Sequence, residues 1–275
     1  MPLARSQLDL AQPAMIRDVV EKLRPQVVIN CAAWTAVDAA ESAPNACRLV
    51  NADAVGELAA ACNAVDATLV QISTDYVFGA DTSRTVPYTE TDATGPVNKY
   101  GASKLAGEQA AATAARHMIV RTCGLYSAGD HGPVRGRNFA DTMLALAAER
   151  DELRIVDDQR CTPSFVPHVA AGILRLLERQ AQGSFHIVNS GATTWHGFAT
   201  ELFHVAGLTM TLHPIPTSEY PTPAMRPGYS VLGTGKFSGA TGDDLPAWQT
   251  GVAEYVRAVK PVSSKRERTP CGQSS

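Results

Sequence analysis

The stretch TLVQISTDY, residues 68–76, decides the fold of this chain, because an apolar run ends there abruptly in polar side chains. Such a run predicts a buried strand over Thr68–Ile72. The polar residues Ser73 to Tyr76 then stand at the carboxyl end of that strand, where open α/β sheets bind their ligands. The stretch therefore predicts both a parallel sheet and the position of a site, although the same residues also suit an ordinary turn or helix cap.

Apolar runs of this kind alternate with helical patterns through the first two thirds of the chain. Further strands are predicted at Val27–Cys31, His117–Arg121 and Ser184–Val188. Helices are predicted at Pro13–Leu23, Asn45–Ala64, Lys99–Ala115 and Pro167–Arg179. This alternation is typical of the α/β class, with a Rossmann-like, doubly wound parallel sheet covered by helices.

The pattern changes from about Trp195 onward, where a helix, a proline-rich stretch over Pro214–Pro227 and a final helix near Trp248–Val259 follow one another. We interpret this part as a smaller C-terminal substrate lobe. The predicted dinucleotide-binding domain comprises residues 1–125 and about 160–190, and the substrate lobe comprises about 126–159 and 191–260. Residues 261–275 carry charge and serine without an apolar period, which predicts a disordered tail.

Composition narrows the classes of partner. The 275 residues carry a formal net charge of −3, so no basic stripe suggests nucleic acid, and no run of 18 apolar residues suggests a membrane span. The N-terminus lacks the apolar region of a secretory signal, so we expect a cytoplasmic protein. The six cysteines are scattered without metal-ligand spacing, which predicts reduced thiols and no zinc-type site. The sequence leaves bound Mg²⁺ and a homodimer undetermined.

Tyr100 and Lys104 stand four residues apart at the start of a helical pattern, so both side chains project from one helix face. An ammonium near a phenol lowers the tyrosine pKa, which predicts a proton donor that works near neutral pH. The pair alone also fits a surface tyrosine beside a solvated lysine. Small residues in Asn30–Thr35 would let a flat cofactor approach the backbone, and tight helix–sheet packing explains them equally well.

Three blocks of the sequence carry a family resemblance: VINCAAWTAVD (28–38), ISTDYVF (72–78) and YGASKLAGE (100–108). They resemble the dTDP-4-dehydrorhamnose reductases, a family of extended short-chain dehydrogenases. The resemblance runs from about Leu8 to Lys260. Blocks similar to the substrate lobe of that family are Asn138-Phe139, Thr142–Leu144, Asp157–Gln159, Tyr220–Ala224, Arg226-Pro227 and Ser230–Leu232.

The resemblance implies NAD(P)H-dependent reduction of the C4 keto group of a dTDP-4-dehydro-6-deoxy sugar, converting dTDP-4-dehydrorhamnose to dTDP-rhamnose. By this resemblance Tyr100 donates the proton, Lys104 holds the nicotinamide ribose and tunes Tyr100, and Thr74 bonds the sugar oxygen. Asp75 is expected to position the substrate. The remaining cofactor residues implied by the family are Ala33, Trp34 and Thr35, with Asp9 and Leu10 on the adenine side.

The chain departs from the family pattern in its first residues, because no G-x-G-x-x-G or G-x-x-G-x-x-G precedes Asn30. The family opens with a strand, a glycine-rich turn and a helix whose N-terminus receives the pyrophosphate. We expect a truncated or misassigned start at Met1, which leaves a truncated sheet with Val27–Cys31 as an exposed edge. The choice between NADH and NADPH stays open for the same reason.

A second departure is Gly124, a predicted substrate-side residue that stands where the family usually carries a tryptophan stacked against the substrate. Loss of an aromatic platform makes the substrate less certain than the reaction class. Two alternatives therefore stay open. One is a non-catalytic regulatory or binding subunit with the same fold, and the other is a reductase or epimerase of another nucleotide sugar.

Overall fold

A computed structural model describes residues 1–129 and 138–259. Its helices are α1 (Ala14–Leu23), α2 (Val37–Ser42), α3 (Pro44–Arg48), α4 (Ala54–Val65), α5 (Lys99–Ala111), α6 (Phe139–Ala147), α7 (Val166–Glu178), α8 (Trp195–Val205), α9 (Gly235–Thr241) and α10 (Trp248–Ala258). Its strands are β1 (Val27–Asn30), β2 (Thr68–Thr74), β3 (His117–Thr122), β4 (Leu125–Tyr126), β5 (Glu152–Val156), β6 (Arg160–Cys161), β7 (Ser164–Phe165), β8 (Gly183–His186), β9 (Thr193–Thr194) and β10 (Thr211–Ile215).

The main sheet has four parallel strands in the order β1-β2-β3-β8. Each of these strands lies within two residues of its predicted bounds at both ends, and the α/β class with a Rossmann-like parallel sheet is confirmed. Helical crossovers connect each of these strands to the next one in the sheet, and this allows all four strands to run parallel. Their carboxyl ends therefore meet at one edge.

Two hydrophobic clusters cover the two faces of this sheet. Adjacent residues of β2 point to opposite faces, so Leu69 joins the cluster of α1 and α4 while Val70 joins the cluster of α7 and α9. Both side chains are fully buried. On the edge strand β1, by contrast, Val27 and Ile29 are exposed, at 38% and 43% of their surface.

Two predicted helices differ from the structure, one in regularity and the other in length. The prediction Asn45–Ala64 is interrupted by a π-helical turn over Leu49–Asp53, where the chain approaches α5 so closely that a Cβ on Gly107 would lie 2.0 Å from the Asn51 carbonyl oxygen. The prediction Lys99–Ala115 ends at Ala111. There Asn63 bonds the carbonyl of Thr113 and the amide of Ala115, groups that a longer helix would pair internally.

A third cluster lies among the later elements, where α6, α8, α10 and β5 pack together. Its largest side chains are Tyr126, Phe198, Trp248 and Tyr255, with tilted or edge-on rings. The predicted division into a dinucleotide-binding domain and a substrate lobe stays a prediction. The predicted tail lies outside the described residues. Within the described ranges, no helix is long and apolar enough to span a membrane.

Candidate active site

A cavity of about 500 Å³ opens where β1, β2 and β3 end. The predicted residues Thr74, Tyr100 and Lys104 line it together, as do Ala33, Thr35 and Gly124. The other side chains that line it are Cys31, Ile72, Ser73, Thr122, Cys123, Leu125, Tyr126, Ser127, Asn138 and Val166. Residues from six separate parts of the sequence thus converge at the sheet edge that the sequence pattern indicates.

The N-terminus of α5 fixes the position of Tyr100. Asn98 caps the helix by accepting a 2.7 Å hydrogen bond from the Gly101 amide, and it donates to the Met225 carbonyl at 2.8 Å. A Cβ on Gly101 would lie 2.2 Å from the carbonyl oxygen of Tyr76, so only glycine permits this approach. The helix therefore begins directly against the end of β2, with Tyr100 over the cavity.

Burial raises the pKa of Tyr100 well above its ordinary value, and a hydrogen bond with Thr74 opposes the change only in part. The sequence predicts that the Lys104 ammonium lowers the pKa of Tyr100. In the structure the pKa of Tyr100 is raised instead, so that prediction is wrong. The reason is that desolvation of the phenolate outweighs nearby favourable interactions. Tyr100 is protonated at neutral pH, which suits a proton donor.

Lys104 is buried one helical turn after Tyr100, and its Nζ donates a 2.6 Å hydrogen bond to the Ile72 carbonyl. Burial lowers the pKa of Lys104 to about 8, while the attraction of Glu108 opposes that change. No carboxylate of the described residues forms a salt bridge with this ammonium. The Lys104 ammonium is therefore available to a ligand in the cavity that it lines.

Thr74 and Asp75 end β2 in a compact hydrogen-bond network. Thr74 Oγ1 accepts from the Tyr76 amide at 3.2 Å and donates to Asp75 Oδ1 at 3.1 Å. The other oxygen, Asp75 Oδ2, accepts from Ser230 Oγ at 2.6 Å and from Cys123 Sγ at 3.1 Å. Burial raises the pKa of this carboxyl, and its hydrogen bonds act in the opposite direction.

A larger groove of about 1270 Å³ is built mainly by the later elements. Tyr76, Phe139 and Trp195 give it aromatic surface, and Arg150 and Arg226 give it positive charge. Phe139 and Trp195 stand together, with ring centroids 4.8 Å apart. The groove can therefore take a ligand that has both a flat apolar part and an anionic part.

The groove and the cavity meet at Gly124. This residue has φ +49°, and a Cβ on it would lie 3.2 Å from the tip of the Trp195 indole and 3.2 Å from Pro163 Cα. Position 124 therefore has no room for a side chain, and the indole of Trp195 occupies the adjacent space. Tyr126 does not serve as an exposed aromatic face, because it is buried and its hydroxyl donates to the Trp248 carbonyl.

An ion pair joins the start of α2 to the proline-rich segment. Arg226 donates two hydrogen bonds of 3.0 Å to the two carboxylate oxygens of Asp38, and the Ala224 amide donates a third at 3.1 Å. This bidentate contact with Arg226 is the main reason why the pKa of Asp38 lies below its ordinary value. It holds Arg226 at the wall of the groove.

Comparison with known proteins places this arrangement in a family. The family model described as the RmlD substrate binding domain matches residues 1–260. A dTDP-4-dehydrorhamnose reductase of Burkholderia thailandensis is 44% identical over 275 residues, which cover 94% of this chain and 90% of the relative. This chain belongs to the dTDP-4-dehydrorhamnose reductase family.

Solved structures of dTDP-4-dehydrorhamnose reductases agree. The enzyme of Bacillus anthracis, in complex with NADP, has a TM-score of 0.88 at 34% identity and covers 94% of this chain and 90% of its own. The ortholog from Clostridium acetobutylicum has a TM-score of 0.87 at 37% identity, with 94% and 89% covered. The predicted family is confirmed.

Several residues predicted from the dTDP-4-dehydrorhamnose reductase family lie away from the cavity wall. Leu10 is buried in the cluster of α1 and α4, and Asp9 pairs with Arg5 at 3.2 Å and caps the Ala11 amide at 3.0 Å. The hydrogen bond from Ala11 is the main cause of the lowered pKa of Asp9. Asp75 lies behind Thr74 and is not among the residues that line the cavity. The cofactor and substrate roles of these residues stay predictions.

The loop that would line the cofactor in a dTDP-4-dehydrorhamnose reductase is held by a residue that the sequence analysis missed. Asn51 accepts from the Trp34 amide at 2.8 Å, donates to the Trp34 carbonyl at 3.1 Å and donates to Ser103 Oγ at 2.9 Å. Trp34 does not line the cavity, and its Nε1 donates to the Ala36 carbonyl at 3.1 Å. A buried asparagine within an otherwise apolar helical pattern was the available signal.

In the described ranges, no cluster of histidine, cysteine, aspartate and glutamate has an arrangement that would hold a metal ion. Five cysteines in these ranges are not joined in disulfides: Cys31, Cys47, Cys62, Cys123 and Cys161.

Proposed function

We propose that this chain reduces the C4 keto group of dTDP-4-dehydrorhamnose to give dTDP-rhamnose, with NADPH as the reductant. The observation that carries the proposal is the convergence of Thr74, Tyr100 and Lys104 on one cavity at the carboxyl end of β2. The activity named for the relatives and the NADP in the Bacillus anthracis structure support the reaction and the choice of NADPH over NADH.

In the proposed reaction Tyr100 donates its phenolic proton to the sugar oxygen as the carbonyl becomes an alcohol. Its phenol is protonated at neutral pH, and burial, which raises its pKa, makes it a weaker acid, an effect that the hydrogen bond with Thr74 offsets in part. The Thr74 hydroxyl is itself oriented by Asp75 and the Tyr76 amide. When the Thr74 hydroxyl turns its single proton from Asp75 to the substrate, Thr74 and Tyr100 would hold the carbonyl oxygen from two sides, which lowers the entropic cost of reaching the reactive geometry.

The residues around Lys104 fit the nicotinamide end of the cofactor. NADPH, when bound, supplies the hydride. Lys104 offers a buried ammonium whose one described hydrogen bond leaves donors for the ribose hydroxyls. Ala33 and Thr35 are short side chains, so the cavity next to this ammonium is open. No G-x-G-x-x-G or G-x-x-G-x-x-G precedes Asn30, so the first residues of this sequence supply no glycine-rich turn of the family type for the pyrophosphate.

The groove supports a nucleotide-linked sugar as the substrate. Trp195 and Phe139 provide a face on which a flat base can stack, and Arg150 provides a cation for a diphosphate, whereas the Arg226 guanidinium in the same wall is paired with Asp38. Because the groove meets the reaction cavity at Gly124, a dTDP-sugar can place its nucleotide in the groove and its sugar beside Tyr100. The free thiols support a reducing compartment, and we propose the cytoplasm.

The test is a product assay. The purified protein is incubated with dTDP-4-dehydrorhamnose and a high concentration of NADPH, and the sugar nucleotides are separated by chromatography. We expect dTDP-rhamnose to appear in equal amount to the NADPH consumed. UDP-4-keto sugars serve as controls for nucleotide choice. A folded protein that consumes no NADPH and forms no dTDP-rhamnose would favour the regulatory-subunit alternative.

A further inference from the structure

A buried charge cluster lies directly behind Lys104. Lys104 and Glu108 are four residues apart on α5, so they occupy one helix face, and each is only 4% exposed. The Glu108 carboxylate accepts from Arg121 Nε at 2.9 Å and from Arg121 Nη2 at 2.8 Å. Ser73 Oγ donates to the same carboxylate at 2.6 Å. The reaction described above assigns no role to Glu108 or Arg121.

We propose that Glu108 is a positioning residue for the reduction, which keeps Lys104 charged and holds the Ser73 hydroxyl at the cavity wall. The proposal rests on the proposed function, since it concerns the lysine expected to hold the cofactor ribose. Glu108 does not line the cavity and so acts only through its neighbours.

Lys104 requires such a counter-charge because its ammonium is out of water. Burial is the dominant effect on its pKa and favours the neutral amine, and the attraction of Glu108 is the largest effect in the opposite direction. The thiols of Cys47 on α3 and Cys31 after β1 act in the same direction as Glu108, with smaller effects. Tyr100 is the other titratable group on this part of α5, and it is protonated.

Arg121 of β3 fixes the orientation of the Glu108 carboxylate through its paired hydrogen bonds. The guanidinium itself is held over the Phe78 ring, 5.1 Å from its centroid, and lies 3.5 Å from His186 Nε2. Burial and Arg121 lower the pKa of His186 to about 3, so this histidine is neutral and adds no competing charge. Glu108 is therefore a fixed negative charge whose field Arg121 reduces only in part.

The test measures the titration of Lys104 in the protein without cofactor or substrate. The chain has six lysines, and ε-¹³C labelling with a Lys104→Arg variant identifies the signal of Lys104 in NMR spectra. Glu108→Gln keeps the size and the hydrogen-bonding oxygen but removes the charge. We expect the midpoint of Lys104 to fall by about one pH unit in Glu108→Gln. The matched control Glu57→Gln, on the exposed face of α4, should leave it in place.

An unchanged Lys104 midpoint in a folded Glu108→Gln protein would overturn the proposal. If that variant does not fold, the wild type decides, because coupled groups report each other's titration. With δ-¹³C-labelled glutamate, the Glu108 signal should show a step at the Lys104 midpoint, and its absence would overturn the proposal.

Activity provides a separate readout. In Glu108→Gln the alkaline limb of the kcat/KM profile should move down with the Lys104 midpoint, whereas a purely structural role would lower activity equally at every pH. A limb that stays in place while the midpoint moves would contradict the positioning role. A wild-type protein that forms no dTDP-rhamnose contradicts the proposed function, and the NMR titration still decides whether Glu108 sets the charge of Lys104.

Discussion

The ring of Tyr100 stands edge-on to the ring of Tyr76, with centroids 5.8 Å apart and planes at 78°. Tyr100 lines the reaction cavity, and Tyr76 lines the groove. This edge-to-face contact and the contact of Trp195 with position 124 are two places where the two spaces adjoin. The Tyr76–Tyr100 pair and the Trp195–Gly124 contact therefore stand at the junction of the two spaces.

Substitution of Gly124 should destabilise the protein. Its φ of +49° disfavours any side chain, and a Cβ would press on Pro163 and Trp195 at 3.2 Å. We expect Gly124→Ala to lose about 2 kcal/mol in the free energy of unfolding, from backbone strain and overpacking together. Gly207→Ala is the matched control, because its φ is +66° and nothing lies within 4 Å of its Cβ. Equal losses in denaturant titrations of the two variants would contradict the crowding at position 124.

The same crowding bears on the aromatic platform that the family usually carries at position 124. A tryptophan side chain placed there would press on Pro163 and on the Trp195 indole. The adjacent indole of Trp195 is the aromatic face available at this place instead.

Removal of the Trp195 indole should weaken substrate binding selectively. Stacking of this type contributes about 1 kcal/mol, so Trp195→Ala should raise the KM for dTDP-4-dehydrorhamnose roughly fivefold. Trp195→Phe keeps an aromatic face and should lose less. The dissociation constant for NADPH should stay the same in both variants, because Trp195 does not line the cavity around Lys104. An unchanged KM in Trp195→Ala would show that the substrate does not stack there.

Lys104 should make stability depend on pH in the alkaline range. Its pKa is about 8 in the folded protein and 10.5 as the ordinary value, so the unfolded chain binds more protons between these limits. Stability from this group therefore rises as pH increases from about 8 to 10.5, by at most about 1.4 kcal/mol per pH unit. The buried tyrosines act in the opposite direction at higher pH, so the comparison uses a variant. Lys104→Met should remove the rising contribution, and identical pH slopes for wild type and variant would refute it.

Cofactor affinity should be low for the 275-residue chain. The sequence has no G-x-G-x-x-G or G-x-x-G-x-x-G before Asn30, so the pyrophosphate lacks the glycine-rich turn and helix N-terminus by which this family usually binds it. We expect calorimetric titration with NADPH to give a dissociation constant well above the low micromolar range. A low-micromolar value would show that other residues of this chain bind the pyrophosphate.

Much of the fold is predictable because three of the four strands of the main sheet, β1, β2 and β3, carry apolar runs with polar ends, a pattern that local sequence determines. Tyr100 and Lys104 are predictable for the same reason, since one helix turn brings them together. The break in the helix at Leu49–Asp53 is not, because it depends on the approach of Gly107 from a distant helix. Residue type alone gives no sign that Trp195 packs on Gly124, because the contact forms only when α8 docks beside β4.

The protonation of Tyr100 shows a similar limit. The spacing to Lys104 indicates an electrostatic effect that lowers the tyrosine pKa, but the sequence does not reveal how completely α5 and β2 enclose the phenol. Burial dominates in the folded chain and raises that pKa. The sequence pattern thus identifies Tyr100 as the proton donor, whereas the packing around Tyr100 determines its pKa.

The most direct measurement is the reduction of dTDP-4-dehydrorhamnose by Tyr100→Phe. This variant keeps the ring and its contact with Tyr76 but removes the proton that the reaction requires, so kcat should fall by roughly two to four orders of magnitude. Thermal unfolding should match that of the wild type, and Tyr229→Phe, which removes a hydroxyl away from the cavity, should retain full activity. A Tyr100→Phe protein with near wild-type kcat would contradict the assignment of Tyr100 as the proton donor.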